Sequence, residues 1–195
     1  MRSRTLLFCA AVAAVVTAAC TKSTARPMPS PSPQSPAAPA ASAPMSAMSQ
    51  ASAVLHDLTG RRVGTATFTD TYTGVLVSAD LTGLGLGAHG IHIHEVGKCE
   101  APFTTAGGHF NPEHRHHGFL NPNGSHLGDM PNIDTPAAGQ LRFEFLLPGV
   151  TLKGANALLD ADGASIVVHS GRDDYSTDPS GNSGSRIACG VIVAK

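Results

Sequence analysis

The chain has 195 residues, enough for one or two domains, and its 13 Lys and Arg nearly balance 14 Asp and Glu, for a formal net charge of −1. That balance leaves no basic footprint for a nucleic-acid partner. Glycine is abundant at 21 residues and Trp is absent, which favours a β protein with many turns over a helical bundle; ten histidines in so short a chain point to metal, since imidazole is the commonest protein metal ligand.

At the N-terminus, Arg2 and Arg4 precede an apolar run from Leu6 to Ala19, too short to span a bilayer comfortably and shaped like the apolar region of a signal peptide. The run closes as Val16-Thr17-Ala18-Ala19-Cys20. Small residues before a cysteine resemble a lipobox, in which residues 1–19 are removed and Cys20 is acylated, although Thr17 stands where that pattern prefers Leu. The rival reading is ordinary cleavage after the Ala-rich stretch, leaving a free secreted protein. Residues 20–50 are largely Pro, Ala and Ser. Such a segment buries too little surface to offset its ordering entropy, so it reads as a disordered tether to a folded domain at 51–195. Cys9 leaves with the leader and Cys20 carries the lipid. Cys99 and Cys189 remain, a pair for which a disulfide is the default in an oxidising compartment.

Within the domain, Arg62 to Phe68 and Gly74 to Asp80 alternate apolar and polar side chains, as do Leu141 to Phe145 and Ile187 to Val193, and Ile166 to Val168 is a short apolar strand. No segment predicts an amphipathic helix of three turns. Strands of this length broken by Gly and Asn predict an antiparallel β-sandwich or barrel. In Gly90 to Glu95, His92 and His94 are two apart on a strand and project from one face, a spacing suited to two ligands on one metal. Then comes a polar stretch from Val96 to Ala138 with no periodicity; a loop of that length inside a compact domain has a functional reason. It carries His109, His117, His126 and Asp129, three imidazoles and a carboxylate that make a closed four-coordinate set suited to zinc. His169 follows the 166–168 strand, a second long loop runs from Ser170 to Ser185, and Arg186 precedes the last strand.

The motifs Gly-x-His-x-His-Glu at 90–95, Ala-Gly-x-His-Phe-Asn-Pro at 106–112, His-x-Gly-Asp at 126–129, Val-Val-His at 167–169 and Gly-Ser-Arg-Ile-Ala-Cys-Gly-Val at 184–191 resemble, in order and approximate spacing, the copper,zinc superoxide dismutase family. The resemblance spans roughly residues 52–195 and marks the chain as similar to its secreted, lipoprotein-type bacterial members. It implies a Greek-key β-sandwich or barrel of about eight strands with two long metal-binding loops. It implies one copper and one zinc ion per subunit, with copper on His92, His94, His109 and His169, and zinc on His109, His117, His126 and Asp129. His109 is then a bridging imidazolate. Asp173 falls where the family has a carboxylate bonded to one histidine of each metal, with Asp174 one register step away, and Cys99 and Cys189 match the family disulfide.

By the same resemblance, superoxide is the substrate, disproportionated to dioxygen and hydrogen peroxide by copper alternating between two oxidation states. Arg186 holds the anion and His109 carries a proton. The segment 175–179, Tyr-Ser-Thr-Asp-Pro, lacks the charged cluster that guides substrate in many relatives, and Ser180 stands where Thr is often found; Lys98 and Arg115 are candidates for supplying the field. Of the other histidines, His89 is expected to make a structural hydrogen bond, His56 to lie at a surface or strand end, and His114 and His116 to flank the ligand His117. The alternative from another class is a copper- or zinc-binding protein for storage or delivery on the same scaffold. The expected setting is extracytoplasmic, lipid-anchored or periplasmic, as a monomer or homodimer.

Overall fold

The computed structural model describes residues 48–195; the expected leader, Cys20 and nearly all of the tether lie outside the described residues. The strands in chain order are β1 Gln50–Asp57, β2 Arg62–Asp70, β3 Gly74–Thr82, β4 Gly87–His89, β5 Ile91–His94, β6 Ile133–Thr135, β7 Gln140–Pro148, β8 Ser165–His169, β9 Arg186–Val191 and β10 Val193–Ala194. The period-two pattern is what folds them. Val75, Val77, Ala79 and Leu81 of β3 are buried, and so are Ala51, Ala53 and Leu55 of β1. Across the sheet, Ala51 pairs with Phe68, Phe68 with Val77, and Val77 with Phe145. The small Ala51 leaves room for the wholly buried Phe68 ring, whose transfer from water stabilises the fold by about 2–3 kcal/mol.

Eight strands form one antiparallel sheet in the order β5-β8-β9-β1-β2-β3-β7, with β10 beside β1, while β4 and β6 pair as a second, small sheet. The large sheet curls as a Greek-key barrel around one core that joins Leu55, Phe68, Leu81, Ile93, Leu147 and Ile166. The four strands expected at 62–68, 74–80, 141–145 and 166–168 lie inside observed ones. The run expected at 187–193 is broken instead at Ile192, whose N–H donates to the Ala164 carbonyl at 3.0 Å, so β9 pairs with β8 and β10 with β1. The stretch 96–138 also differs from expectation. It contains a 3₁₀ turn at Thr104–Ala106 and ends in β6. A disulfide joins Cys99 to Cys189, with Cα atoms 5.6 Å apart across a sequence separation of 90, and so pins this loop to β9.

Candidate metal centre

β5 is an edge strand of the large sheet, and its open edge would leave backbone groups without partners. The long loop fills it. Phe110 N–H donates to the Ile93 carbonyl at 2.8 Å, Ile93 N–H to Gly128 at 2.9 Å, and Gly128 N–H to Phe110 at 2.9 Å. His109 and Asp129 are thereby carried up beside His92 and His94. Residue 128 must be Gly, because a Cβ there would lie 2.5 Å from the Ile93 carbonyl oxygen. On the other side of β5, β8 pairs in register, and His169 N–H donates to the Gly90 carbonyl at 2.8 Å. All four residues of β5 are buried, since loops cover the face that carries the imidazoles.

All six expected ligand histidines and both Asp129 and Asp173 are at most 7% exposed. The hydrogen bond at one nitrogen of each ring decides which nitrogen keeps a free lone pair. His94 Nδ1–H donates to the Gly107 carbonyl at 3.0 Å, and His169 Nδ1–H to the Gly184 carbonyl at 3.3 Å. Their Nε2 atoms therefore face each other, 3.4 Å apart. His92 uses Nε2, against Asp173 Oδ2 at 2.7 Å, and His109 uses Nδ1, against Asp129 Oδ1 at 3.0 Å. That leaves His92 Nδ1 and His109 Nε2 buried with no partner, and His126 Nδ1 likewise. Buried imidazole nitrogens are seldom left orphaned. Their convergence fits metal ions held by nitrogen and carboxylate donors.

Potential ligand atoms fall into two overlapping groups, each with its atoms within 4.8 Å of one another: His92, His94, His109 and His169, and His92, His109, His117 and Asp129. The first is the expected copper set. The second contains three of the four expected zinc ligands. His126 stands at its border, with Nδ1 3.4 Å from Asp129 Oδ1. His92 joins this group because Asp173 draws it toward His117, whose Nε2 is 3.0 Å from Asp173 Oδ1.

Burial dominates the electrostatics. It lowers the pKa of His109 to about 4, against the hydrogen bond that the ring donates to Asp129, and that of His169 to about 3, helped by neighbouring His92; His94 lies well below its ordinary value for the same first reason. His117 goes the other way. Burial alone would lower it, but hydrogen bonds to Asp129 and Asp173 raise it to about 9. Asp129 and Asp173 would be raised by burial, yet their histidine partners hold both well below the ordinary carboxylate range. The site thus keeps His94, His109 and His169 neutral and both carboxylates ionised at neutral pH, the state that metal requires, while His117, held between Asp129 and Asp173, must give up a proton when metal binds.

The site opens to solvent through a cavity lined by His94, His109, His126, His169, Ser180 and Arg186. Arg186 Nη1 donates to the Phe103 carbonyl and Nη2 to the Gly107 carbonyl, both at 2.6 Å. Arg115 also lines the cavity but is paired with Glu113 at 2.7 Å, and Lys98 is exposed outside its wall. His89 has both ring nitrogens on backbone carbonyls, those of His169 and Gly85. His56, near the end of β1, is exposed, as are His114 and His116. Asn132 and Tyr175, which sequence reading passes over, also tie into Asp173. Neither carries a charge or a motif that would mark it.

Residues 62–192 match the family described as copper/zinc superoxide dismutase. The chain is 48% identical over 137 residues to superoxide dismutase (Cu-Zn) 1 of Aquifex aeolicus, covering 68% of this chain and 81% of that one. It is 46% identical over 147 residues to the Cu-Zn superoxide dismutase of Caulobacter vibrioides, covering 73% and 84%. Among solved structures, a SOD-like protein from Bacillus subtilis superposes with a TM-score of 0.70 at 37% identity, over 73% of this chain and 97% of that one. The Cu/Zn superoxide dismutase from Brucella abortus superposes with 0.60 at 31%, over 74% and 99%. By the match across residues 62–192 and by identity of up to 48% to these relatives, the chain belongs to the copper/zinc superoxide dismutase family.

Proposed function

We propose that copper sits on His92, His94, His109 and His169, and zinc on His109, His117, His126 and Asp129, and that this centre disproportionates superoxide to dioxygen and hydrogen peroxide. The observation that carries the reading is His109: Asp129 holds Nδ1 at 3.0 Å while Nε2 is buried without a partner, so one ring turns a nitrogen to each set. One copper and one zinc ion per subunit go with the family. Bound copper supplies the one-electron couple, and zinc, with no redox chemistry, supplies charge and structure.

The chain supplies the rest. Arg186 offers a guanidinium that stays charged, aimed by two carbonyls at the cavity beside His94 and His169; it binds the anion and orients it. His109 Nε2 is the position that holds a proton for the peroxide product, while Asp129 keeps the ring from rotating. Asp173, between His92 and His117, ties one ligand of each set to the other. A storage or delivery protein has no use for a guanidinium fixed this way at the mouth of its site. The test is metal content and dismutation on the purified full-length protein before and after copper and zinc loading, with His109→Ala as control. One copper and one zinc per chain with fast dismutation, lost in the variant, is expected; metal bound without activity would sink the reading.

The protein is further proposed to be exported and lipid-anchored at Cys20, with residues 20–50 as tether and 51–195 as the catalytic domain. The Cys99–Cys189 bond supports an oxidising compartment, and Arg2, Arg4 and the apolar run 6–19 support a leader. Mass spectrometry of the mature N-terminus is expected to find acylated Cys20; an unmodified N-terminus elsewhere would remove the anchor.

A further inference from the structure

Asn132 lies three residues beyond Asp129, on the segment that leads into β6. Its carboxamide lies against the backbone of Asp173 in the opposite loop. Asp173 N–H donates to Asn132 Oδ1 at 2.8 Å, and Asn132 Nδ2 donates to the Asp173 carbonyl at 2.8 Å. Tyr175 closes the arrangement: its phenolic oxygen accepts from Asn132 N–H at 2.7 Å, and its own N–H donates to Asp173 Oδ1 at 2.6 Å. Only a carboxamide of this length offers a donor and an acceptor in one plane to satisfy both main-chain groups of a facing residue.

The consequence concerns register. Asp173 and Asp174 are adjacent, and one step along the loop would exchange them. Asp173 points inward to His92 and His117, whereas Asp174 is exposed and occupied by Ser176, Thr177 and Asn182. Gly181 fits the inward arrangement closely. Its φ is 62°, and a Cβ there would lie 1.9 Å from Asp173 Oδ1. Because both peptide groups of Asp173 are engaged by Asn132, a slip would break two hydrogen bonds at once.

We propose that Asn132 is a positioning residue that fixes the 170–185 loop in register, so that Asp173 is the carboxylate presented to His92 and His117, and that it thereby governs zinc affinity. This rests on the zinc assignment proposed above. Groups that hold metal ligands in place typically change metal affinity by roughly 10- to 100-fold when removed, and Asn132 acts at one further remove, entirely through Asp173.

The test is a double-mutant cycle in the full-length protein, with zinc affinity read by chelator competition. Asn132→Leu, which removes both bonding groups, is expected to weaken zinc binding by roughly 10-fold or more, and Asp173→Asn to weaken it at least as much. The double variant is expected to bind no more weakly than Asp173→Asn alone, because the effect passes through that carboxylate. The ring N–H proton resonances of His92 and His117 should also be lost together in Asn132→Leu. If Asn132→Leu does not fold, Asn132→Asp keeps the shape and the acceptor, loses the donor, and should show a smaller loss of the same kind. Unchanged zinc affinity in a folded Asn132 variant, or losses that multiply in the double variant, would overturn the inference. Undiminished zinc affinity in Asp173→Asn would instead overturn the role given to Asp173, and the inference with it.

Discussion

A single backbone carbonyl, that of Gly107, accepts from His94 Nδ1 and from Arg186 Nη2. One peptide group thus sets both the orientation of a ligand ring and the position of the guanidinium that meets the substrate. The Arg186 side chain hydrogen-bonds to no expected metal ligand; its two donors go to the Phe103 and Gly107 carbonyls. Arg186→Ala should therefore keep its copper and zinc while its dismutation rate falls by at least about 10-fold, with a weaker dependence on ionic strength. Metal analysis beside a rate measured at two salt concentrations checks this, and loss of metal in the variant would assign Arg186 a structural role instead. At this scale the sequence is unusually legible. Five of the six histidines, Asp129 and Arg186 stand in short motifs, so their identity can be read directly; His117 is picked out from its neighbours His114 and His116 only by its eight-residue offset from His109. Which nitrogen of each ring is free cannot be read, because it depends on partners such as the Gly107 and Gly184 carbonyls, which any residue type could provide. Asn132 escapes for the same reason: its bonds go to backbone.

Among the elements, apolar–polar alternation made β2, β3 and β7 readable and an unbroken apolar run marked β8, while weaker patterns hid others. β1 buries Ala51 and Ala53, which carry almost no hydrophobic signal, so that strand is visible only through its register with Phe68 and Ala66. β4 and β6 are three residues each, shorter than a period-two pattern needs, and they exist because Ala88 meets Asp134 across a long loop. The loop itself is legible as a metal carrier and illegible as structure. Its order comes from completing the edge of β5 and from the disulfide to β9, two long-range constraints that leave no local period. The same edge explains how ligands so far apart in sequence converge: β5 presents His92 and His94, and the segments hydrogen-bonded to Ile93 bring His109 and Asp129 alongside.

For the whole molecule, burying these histidines as neutral rings links stability to pH. Consider the metal-free protein. His109 and His169 have folded pKa values of about 4 and about 3 against an ordinary 6.5, and His94 is lowered as well. Between those values the unfolded chain binds more protons than the folded one, so stability is complete above pH 6.5 and falls as the pH drops toward 4, by on the order of 3 kcal/mol from His109 alone. His117, raised to about 9, has the opposite sign: its contribution is complete below pH 6.5 and is lost as the pH rises through 9. The depressed Asp129 and Asp173 add their share only where unfolded carboxylates titrate, below about pH 4. Metal-free protein should therefore be most stable near pH 6.5 to 7, with a steeper decline on the acid side because more groups act there. Metal loading should remove the alkaline limb, since a metal-bound His117 carries no proton to lose, and should steepen the acid limb, since every ligand histidine is then neutral in the fold and takes up a proton only on unfolding. Urea unfolding midpoints of the metal-free and loaded protein from pH 4.5 to 9 test this. A metal-free midpoint that holds steady or rises on acidification would mean that the histidines are charged in the fold, and the neutral, metal-ready site argued from their hydrogen bonds would be wrong.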